Sequence, residues 1–172
     1  MEANRVTKIV QWNANGIRQR KEFIQYLYDN EIEIACIQET QLKSQNKYDI
    51  KGYNIIRKDR CSEKKGGGVA TLIRESIPFT EKSTPSDLEA IHITVEHGNN
   101  AINIINLYNP PGTSTPIEYL EKTIIKNSTI LLGDFNAHHK EWTSATTDPN
   151  GAALEKLTEE QDLILIILNQ HT

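Results

Sequence analysis

The chain has 172 residues, 37% hydrophobic and 24% charged, with a formal net charge of −4. This is an ordinary soluble globular composition, long enough for one domain with a substantial core or most of a larger one. The charge excludes a global pull toward nucleic acid, so a polyanion must be held by a local basic patch.

Two cysteines, Cys36 and Cys61, make no disulfide framework. Cys36 lies in an apolar run and is expected in the core; Cys61 lies among charges and is expected at the surface. Neither is expected to have a disulfide partner, and a reducing, intracellular compartment fits. The N-terminus lacks the apolar core of a signal peptide, and the longest aliphatic run, 163–168, is too short to span a bilayer, so no membrane partner is expected. No repeat or linker marks an internal domain boundary.

Val6–Trp12 alternates apolar and polar residues and predicts a strand ending at Asn13, with Asn15-Gly16 turning the chain. Ile17, Ile24, Leu27 and Tyr28 recur at helical spacing and predict a helix over Ile17–Asn30. Ile32–Gln38 predicts a second strand, ending at Glu39. One helix between two strands is the signature of a parallel crossover, which places Asn13 and Glu39 on one rim of a sheet. Tyr53–Arg57 and Val69–Ile73 predict a hairpin around a charged, glycine-rich connection. Ile91–Val95 and Ala101–Leu107 predict another, which stops at Tyr108-Asn109-Pro110-Pro111. A short helix opens at Thr115-Pro116. A buried strand, Thr129–Leu132, follows; it breaks at Gly133 and delivers Asp134 and Asn136. If the chain stays extended there, these two face one spot. A helix over Ala152–Glu160 and an apolar strand, Leu163–Leu168, buried on both faces, complete the reading. Strands outnumber helices, and crossovers mix with hairpins, so the class is an α/β sandwich.

Polar residues follow the ends of four apolar strands: Asn13, Glu39, Tyr108 with Asn109, and Asp134 with Asn136. Sites in α/β proteins collect at such ends. Two carboxylates, carboxamides, a phenol and no cysteine ligand suit a hard cation such as Mg²⁺. Adjacent His138 and His139 point different ways on an extended chain and are poor magnesium ligands. Arg57, Lys58, Arg60, Lys64 and Lys65 put five cations into nine residues, which read equally as a DNA-backbone contact or a solvated loop. Trp142 reads as core or cap.

Five motifs in order resemble the endonuclease/exonuclease/phosphatase family, which includes the apurinic/apyrimidinic endonucleases and DNase I. They are Gln11-Trp12-Asn13-Ala14-Asn15-Gly16, Ile37-Gln38-Glu39-Thr40, Gly66-Gly67-Gly68-Val69-Ala70, Asn106-Leu107-Tyr108-Asn109-Pro110 and Leu132-Gly133-Asp134-Phe135-Asn136-Ala137-His138. Within that family the likeness is greatest to the apurinic-endonuclease-like endonuclease domain of non-LTR (LINE-type) retrotransposons.

The resemblance implies a four-layer α/β sandwich of two packed mixed sheets flanked by helices. It implies DNA nicking by metal-assisted attack of water on phosphorus. Glu39 would hold Mg²⁺, with Mn²⁺ as the alternative, and Asn13 would orient Glu39 or sit beside the metal. Asp134 would align and deprotonate the water, Asn136 would donate to the phosphorane oxygens, and Tyr108 would donate to the phosphate. Beside what the resemblance implies, Asn109, Arg57, Arg60, Lys64 and Lys65 are expected to contact the substrate, and His138 and His139 to border it or to support the site from behind. The partners implied are DNA and, in a full-length element, a reverse transcriptase domain, with a nuclear location for a functional copy.

The sequence departs from the family pattern at its end, where no Ser-Asp-His motif occurs. The expectation is one domain over 1–172, incomplete at its C-terminal side with its last strands missing, and an impaired nuclease. The alternatives are a non-catalytic remnant of a retroelement, or a phospholipid or phosphoinositide phosphodiesterase or phosphatase of the same superfamily.

Overall fold

The computed structural model describes residues 6–18, 20–60, 66–97, 100–125, 128–142 and 144–167. Its elements are β1 (Ile9–Asn13), α1 (Lys21–Asp29), β2 (Ile34–Gln38), β3 (Tyr53–Lys58), β4 (Val69–Arg74), β5 (Phe79–Lys82), β6 (Glu89–His97), β7 (Asn100–Tyr108), α2 (Ile117–Thr123), β8 (Thr129–Asp134), a 3₁₀ turn (Lys140–Trp142) and α3 (Pro149–Gln161). The strands form two mixed four-stranded sheets, ordered β1-β2-β4-β3 and β5-β6-β7-β8. β1 and β2 are parallel, as the crossover reading requires, and β7 and β8 are the second parallel pair.

Period-two alternation in these strands divides the core into two layers. Val10, Trp12, Ala35, Ile37, Ala70 and Leu72 face Phe23 and Leu27 of α1. Ile9, Ile34, Cys36, Val69 and Ile73 face the other way, onto Ile91, Ile93, Val95 and Ile104 of the second sheet. β2 is therefore buried along its whole length, which explains why IACIQ carries no outward polar position. The expected packing of two mixed sheets is borne out. Burial pushes the Cys36 thiol up to about 12, so it is an inert core residue.

Two expectations change, and one strand was not read. The helix begins at Lys21, four residues after Ile17, because Gly16 takes φ +98° and Ile17 is buried within the loop instead, its amide donating to Thr40 O at 3.1 Å. β5, with three of its four residues exposed, shows too little apolar alternation to be read beforehand. The run 163–167 forms no strand and is not buried: Ile164 is 91% and Ile166 76% exposed. Its unbroken hydrophobicity gave it the look of a two-faced core strand, but no described strand pairs with it. No helix among the described residues is long and apolar enough to cross a membrane.

The chain divides into two compact units: Met1–Tyr108 with Ser128–Asp134, and Asn109–Asn127 with Phe135–Thr172. The first holds both sheets. In the second, α2 and α3 pack together around buried Leu120, Ile124, Leu154 and Leu157. Asp148 caps α3 through the Gly151 amide (2.7 Å), with Pro149 at the first helical position.

Candidate active site

Within the first unit, the inter-sheet layer changes character in three steps toward the ends of β1, β2, β7 and β8. The deepest rungs are apolar: Ile9, Ile34, Cys36 and Ile104. The next are amides. Gln11 Nε2 donates to Gln38 Oε1 (2.5 Å), Gln38 Nε2 donates to Asn106 Oδ1 (2.7 Å), and Asn106 Nδ2 donates to Ala70 O (2.9 Å) and Thr71 Oγ1 (3.2 Å). Gln38 and Asn106 are fully buried, so this chain satisfies polar groups that water does not reach. The last step carries the chemistry. Gln38 and Asn106 belong to motifs read from the sequence as functional, yet their role is to tie the two sheets together beneath the site.

At the rim, Asn13 Nδ2 donates to Glu39 Oε1 (2.8 Å) and to Asp134 Oδ2 (2.7 Å). One carboxamide thus holds two carboxylates from different sheets. Register explains Asp134: it lies opposite Tyr108, as Gly133 lies opposite Leu107. A Cβ on Gly133 would stand 1.9 Å from Leu107 O, so only glycine lets β8 approach closely enough to present Asp134 there. Glu39 arrives differently. On an extended strand it would point away from Gln38, toward the helix-covered face. Instead it takes φ +50°, a conformation rare for glutamate, which re-aims its carboxylate at Asn13. Its loop is held from both sides: Gly16 N donates to Glu39 O (2.8 Å), and the Thr40 and Gln41 amides donate to Gly68 O (3.1 Å) and Gly67 O (2.9 Å).

Tyr108 completes the group. Burial first, and then the Glu39 charge and hydrogen bond, push its phenol up to about 12, so the hydroxyl stays protonated and serves as a donor. Arg60 stands 5.7 Å from the centroid of the Tyr108 ring. Its guanidinium meets Glu89 Oε1 through Nε (2.6 Å) and through an Nη2 ion-pair contact of 2.5 Å that lacks hydrogen-bond alignment.

The other expected substrate contacts divide. Arg57 donates to Asn46 O and Lys43 O (2.8 Å each) and pairs with Asp59 (2.9 Å), bracing the loop before β3. Lys64 and Lys65 lie outside the described residues. Exposed Arg18 and Arg20, which the sequence reading passed over, line an open cavity of about 470 Å³ with Asn15, Gly16, Thr40 and Gln41. This is a local basic surface of the kind the net charge demands, beside the Glu39 loop. Its signal was the placement of both arginines directly after the Asn15-Gly16 turn.

The second unit holds the rest. Asn136 takes φ +44°, so the chain is not extended there and the argument that residues two apart share a side does not apply. Asn136 Nδ2 donates to Asn109 O (2.9 Å). Asn109 is 4% exposed and spends its amide on Phe135 O and Thr113 O (3.2 Å each) while accepting from Thr113 Oγ1. The His138 amide and ring Nδ1 both meet Asp148 Oδ2 (3.1 and 2.9 Å). The Gly151 amide first, and then the His138 ring, hold the Asp148 carboxyl below its usual range. The His139 ring meets Trp142 tilted by 52°, with centroids 5.4 Å apart, and Trp142 Nε1 donates to Glu155 (2.6 Å).

Two carboxylates drawn to one neutral amide concentrate negative charge and oxygen donors at the rim. No group of three or more metal-binding His, Cys, Asp or Glu occurs among the described residues. The oxygen set fits Mg²⁺, which takes one or two carboxylates and keeps several waters, better than zinc.

Residues 102–172 match the family described as endonuclease-reverse transcriptase. The chain is 24% identical over 156 residues to the RNA-directed DNA polymerase from mobile element jockey of Drosophila melanogaster, covering 87% of this chain and 17% of that protein. The endonuclease domain of TRAS1, a telomere-specific non-LTR retrotransposon, superposes with a TM-score of 0.70 at 15% identity, over 91% of this chain and 71% of that one. An AP endonuclease from Archaeoglobus fulgidus superposes with a TM-score of 0.62 at 23% identity, over 90% and 71%. The chain therefore has the fold of the endonuclease/exonuclease/phosphatase family, and the likeness to non-LTR retrotransposon endonucleases read from its motifs is borne out.

Proposed function

We propose that this chain is the nuclease part of a retroelement protein, nicking DNA by Mg²⁺-dependent attack of water on a phosphodiester. One observation carries the reading: the Asn13 amide is shared between Glu39 and Asp134. That bond pair fixes a cation-seeking carboxylate and a proton-accepting one a short way apart at a single spot.

Glu39, with Asn13 beside it, would hold Mg²⁺, or Mn²⁺ in its place. The bound cation would neutralise a non-bridging oxygen and the leaving alkoxide. Asp134, steadied by Asn13, accepts the proton of the attacking water. Tyr108, kept protonated by its burial and by Glu39, would turn its O–H from Glu39 to the phosphate when substrate arrives. Asn136 is the amide donor to the phosphorane oxygens in this reading, and Asn109 is the residue that holds its side chain. Arg18 and Arg20 take backbone phosphates of the DNA, and Arg60, Lys64, Lys65, His138 and His139 border the substrate. Arg57 acts through the loop it braces. A reverse transcriptase is the partner function expected in the longer protein, by likeness to the jockey polymerase and the endonuclease-reverse transcriptase family.

The test is nicking of supercoiled plasmid with Mg²⁺ and with EDTA, for the wild type and for Glu39→Gln and Asp134→Asn. Each substitution should lower whatever rate the wild type shows by about 10³-fold or more, because members of a catalytic set act together. Hydrolysis of a phosphoinositide with no action on DNA overturns the proposal, as does nicking indifferent to both substitutions.

A further inference from the structure

Glu89 is the first residue of β6 and shares its inward face with Ile91, Ile93 and Val95. It lies opposite Tyr108 in the β6–β7 register, as Asp134 does on the other side of β7. Glu89, Tyr108 and Asp134 therefore occupy one row across the second sheet. Glu89 is largely buried and both its oxygens are engaged. Oε1 takes Arg60, and Oε2 accepts the Gly68 amide.

Each grip leads to a site group. Arg60, fixed by Oε1, stands against the Tyr108 ring. Gly68, fixed by Oε2, accepts the Thr40 amide, and Thr40 follows Glu39 directly. Gly68 has φ +83°, and a Cβ there would lie 2.7 Å from Thr40 Oγ1, so the strip is pressed against the Glu39 loop. Glu39 itself holds a left-handed conformation that its surroundings must enforce. On the Gly68 side of that loop, the enforcing contact runs back to one carboxylate, that of Glu89.

We propose that Glu89 is a positioning residue for the reaction: by gripping Arg60 and the Gly68 amide at once, it fixes both Tyr108 and the loop that aims Glu39 at the cation. This rests on the nuclease reading above, and it adds a residue that the motifs do not contain. A carboxylate suits the task because it accepts from a guanidinium and a backbone amide together, and such charge-assisted bonds are the strong ones.

Two readouts on the full 172-residue chain test it. The first is amide hydrogen exchange. In Glu89→Ala, exchange at the Thr40 and Gln41 amides should quicken about tenfold or more, with the β2 amides of Ala35 and Cys36 unchanged. Glu89→Gln, which keeps an acceptor for Gly68 but loses the charge facing Arg60, should show a smaller effect. Unchanged exchange at Thr40 and Gln41 in both variants overturns the proposal. The second is Mn²⁺ affinity by electron paramagnetic resonance, without DNA. Glu89→Gln and Arg60→Lys should each weaken binding by about 10–100-fold, the usual effect of losing support behind a metal ligand. Wild-type affinity in both overturns it too. Glu39→Gln is the control: if it binds Mn²⁺ as the wild type does, or if the wild type binds none, the metal reading of Glu39 fails, and exchange alone decides the role of Glu89. Should Glu89→Ala not fold, Glu89→Gln and Arg60→Lys decide both readouts.

Discussion

Replacing Asn106 with leucine tests the amide layer directly. The side chain is fully buried, and leucine matches it in size, so the change removes hydrogen bonds without opening a cavity. Three bonds of 3.2 Å or less are lost, those with the Gln38 Nε2 donor (2.7 Å), Ala70 O (2.9 Å) and Thr71 Oγ1 (3.2 Å), together with a weak 3.4 Å contact to Ile37 O. None of these three partners is left wholly bare. Gln38 keeps a 3.3 Å contact to Cys36 O, Ala70 lies in a strand paired on both sides, and the Thr71 hydroxyl keeps its hydrogen bond with Cys36. Each loss therefore belongs at the low end, about 1 kcal/mol, for a total near 3 kcal/mol. Against a stability of about 5–15 kcal/mol, that is a large share for one residue. Urea unfolding reads it as a lower midpoint at unchanged slope. A second substitution, Gln38→Leu, should restore part of the loss, because it removes the amide N–H that lost its acceptor, while part-buried Gln11, which donated to Gln38, turns its own amide to water. A loss under about 1 kcal/mol for Asn106→Leu would refute the reasoning, by showing that water or a shifted side chain satisfies the layer.

Gly133→Ala should cost more than about 3 kcal/mol or yield no soluble protein, since its Cβ meets Leu107 O at 1.9 Å; a cooperative transition near that of the wild type would defeat this. His92 is buried beside Asn103 (3.2 Å), and burial lowers its pKa from the usual 6.5. The unfolded chain then binds the proton more readily, so stability is unaffected above about pH 6.5 and falls as pH drops below it. In His92→Gln, urea midpoints between neutral and mildly acid pH should fall less steeply than in the wild type, and equal slopes would refute it. Ile166→Lys should raise the soluble, monomeric fraction in size-exclusion chromatography, because Ile166 is exposed within an apolar run; an unfolded product would show that the residue is part of a core.

Much of the site was legible because strand ends punctuate the sequence. Asn13, Glu39, Tyr108 and Asp134 each follow an apolar run, and the crossover spacing was enough to put the first two on one rim. The residues that escaped are those whose meaning depends on a partner. Gln38 and Asn106 looked like parts of catalytic motifs until the second sheet supplied their bonds. Glu89 lay just outside a strand read as beginning at Ile91, although Glu89, Ile91, Ile93 and Val95 share one face at period two. Arg57 counted as one cation among five, whereas the fold turns it inward to two carbonyls. The run 163–167 misled for the same reason, since hydrophobicity announces a need for cover and does not supply it.

The layering beneath the rim also bears on how the site meets a charge. Water in front of two carboxylates can reorient and screen them, but the groups behind them cannot. The amides of Gln11, Gln38 and Asn106 are locked by their own bonds, and the isoleucines below are barely polarisable. The field of Glu39 and Asp134 is thus little diminished from within and leaves chiefly through the open side. Its direction is fixed when the chain folds, so an arriving cation finds an oriented field and need not create one by rearranging the protein.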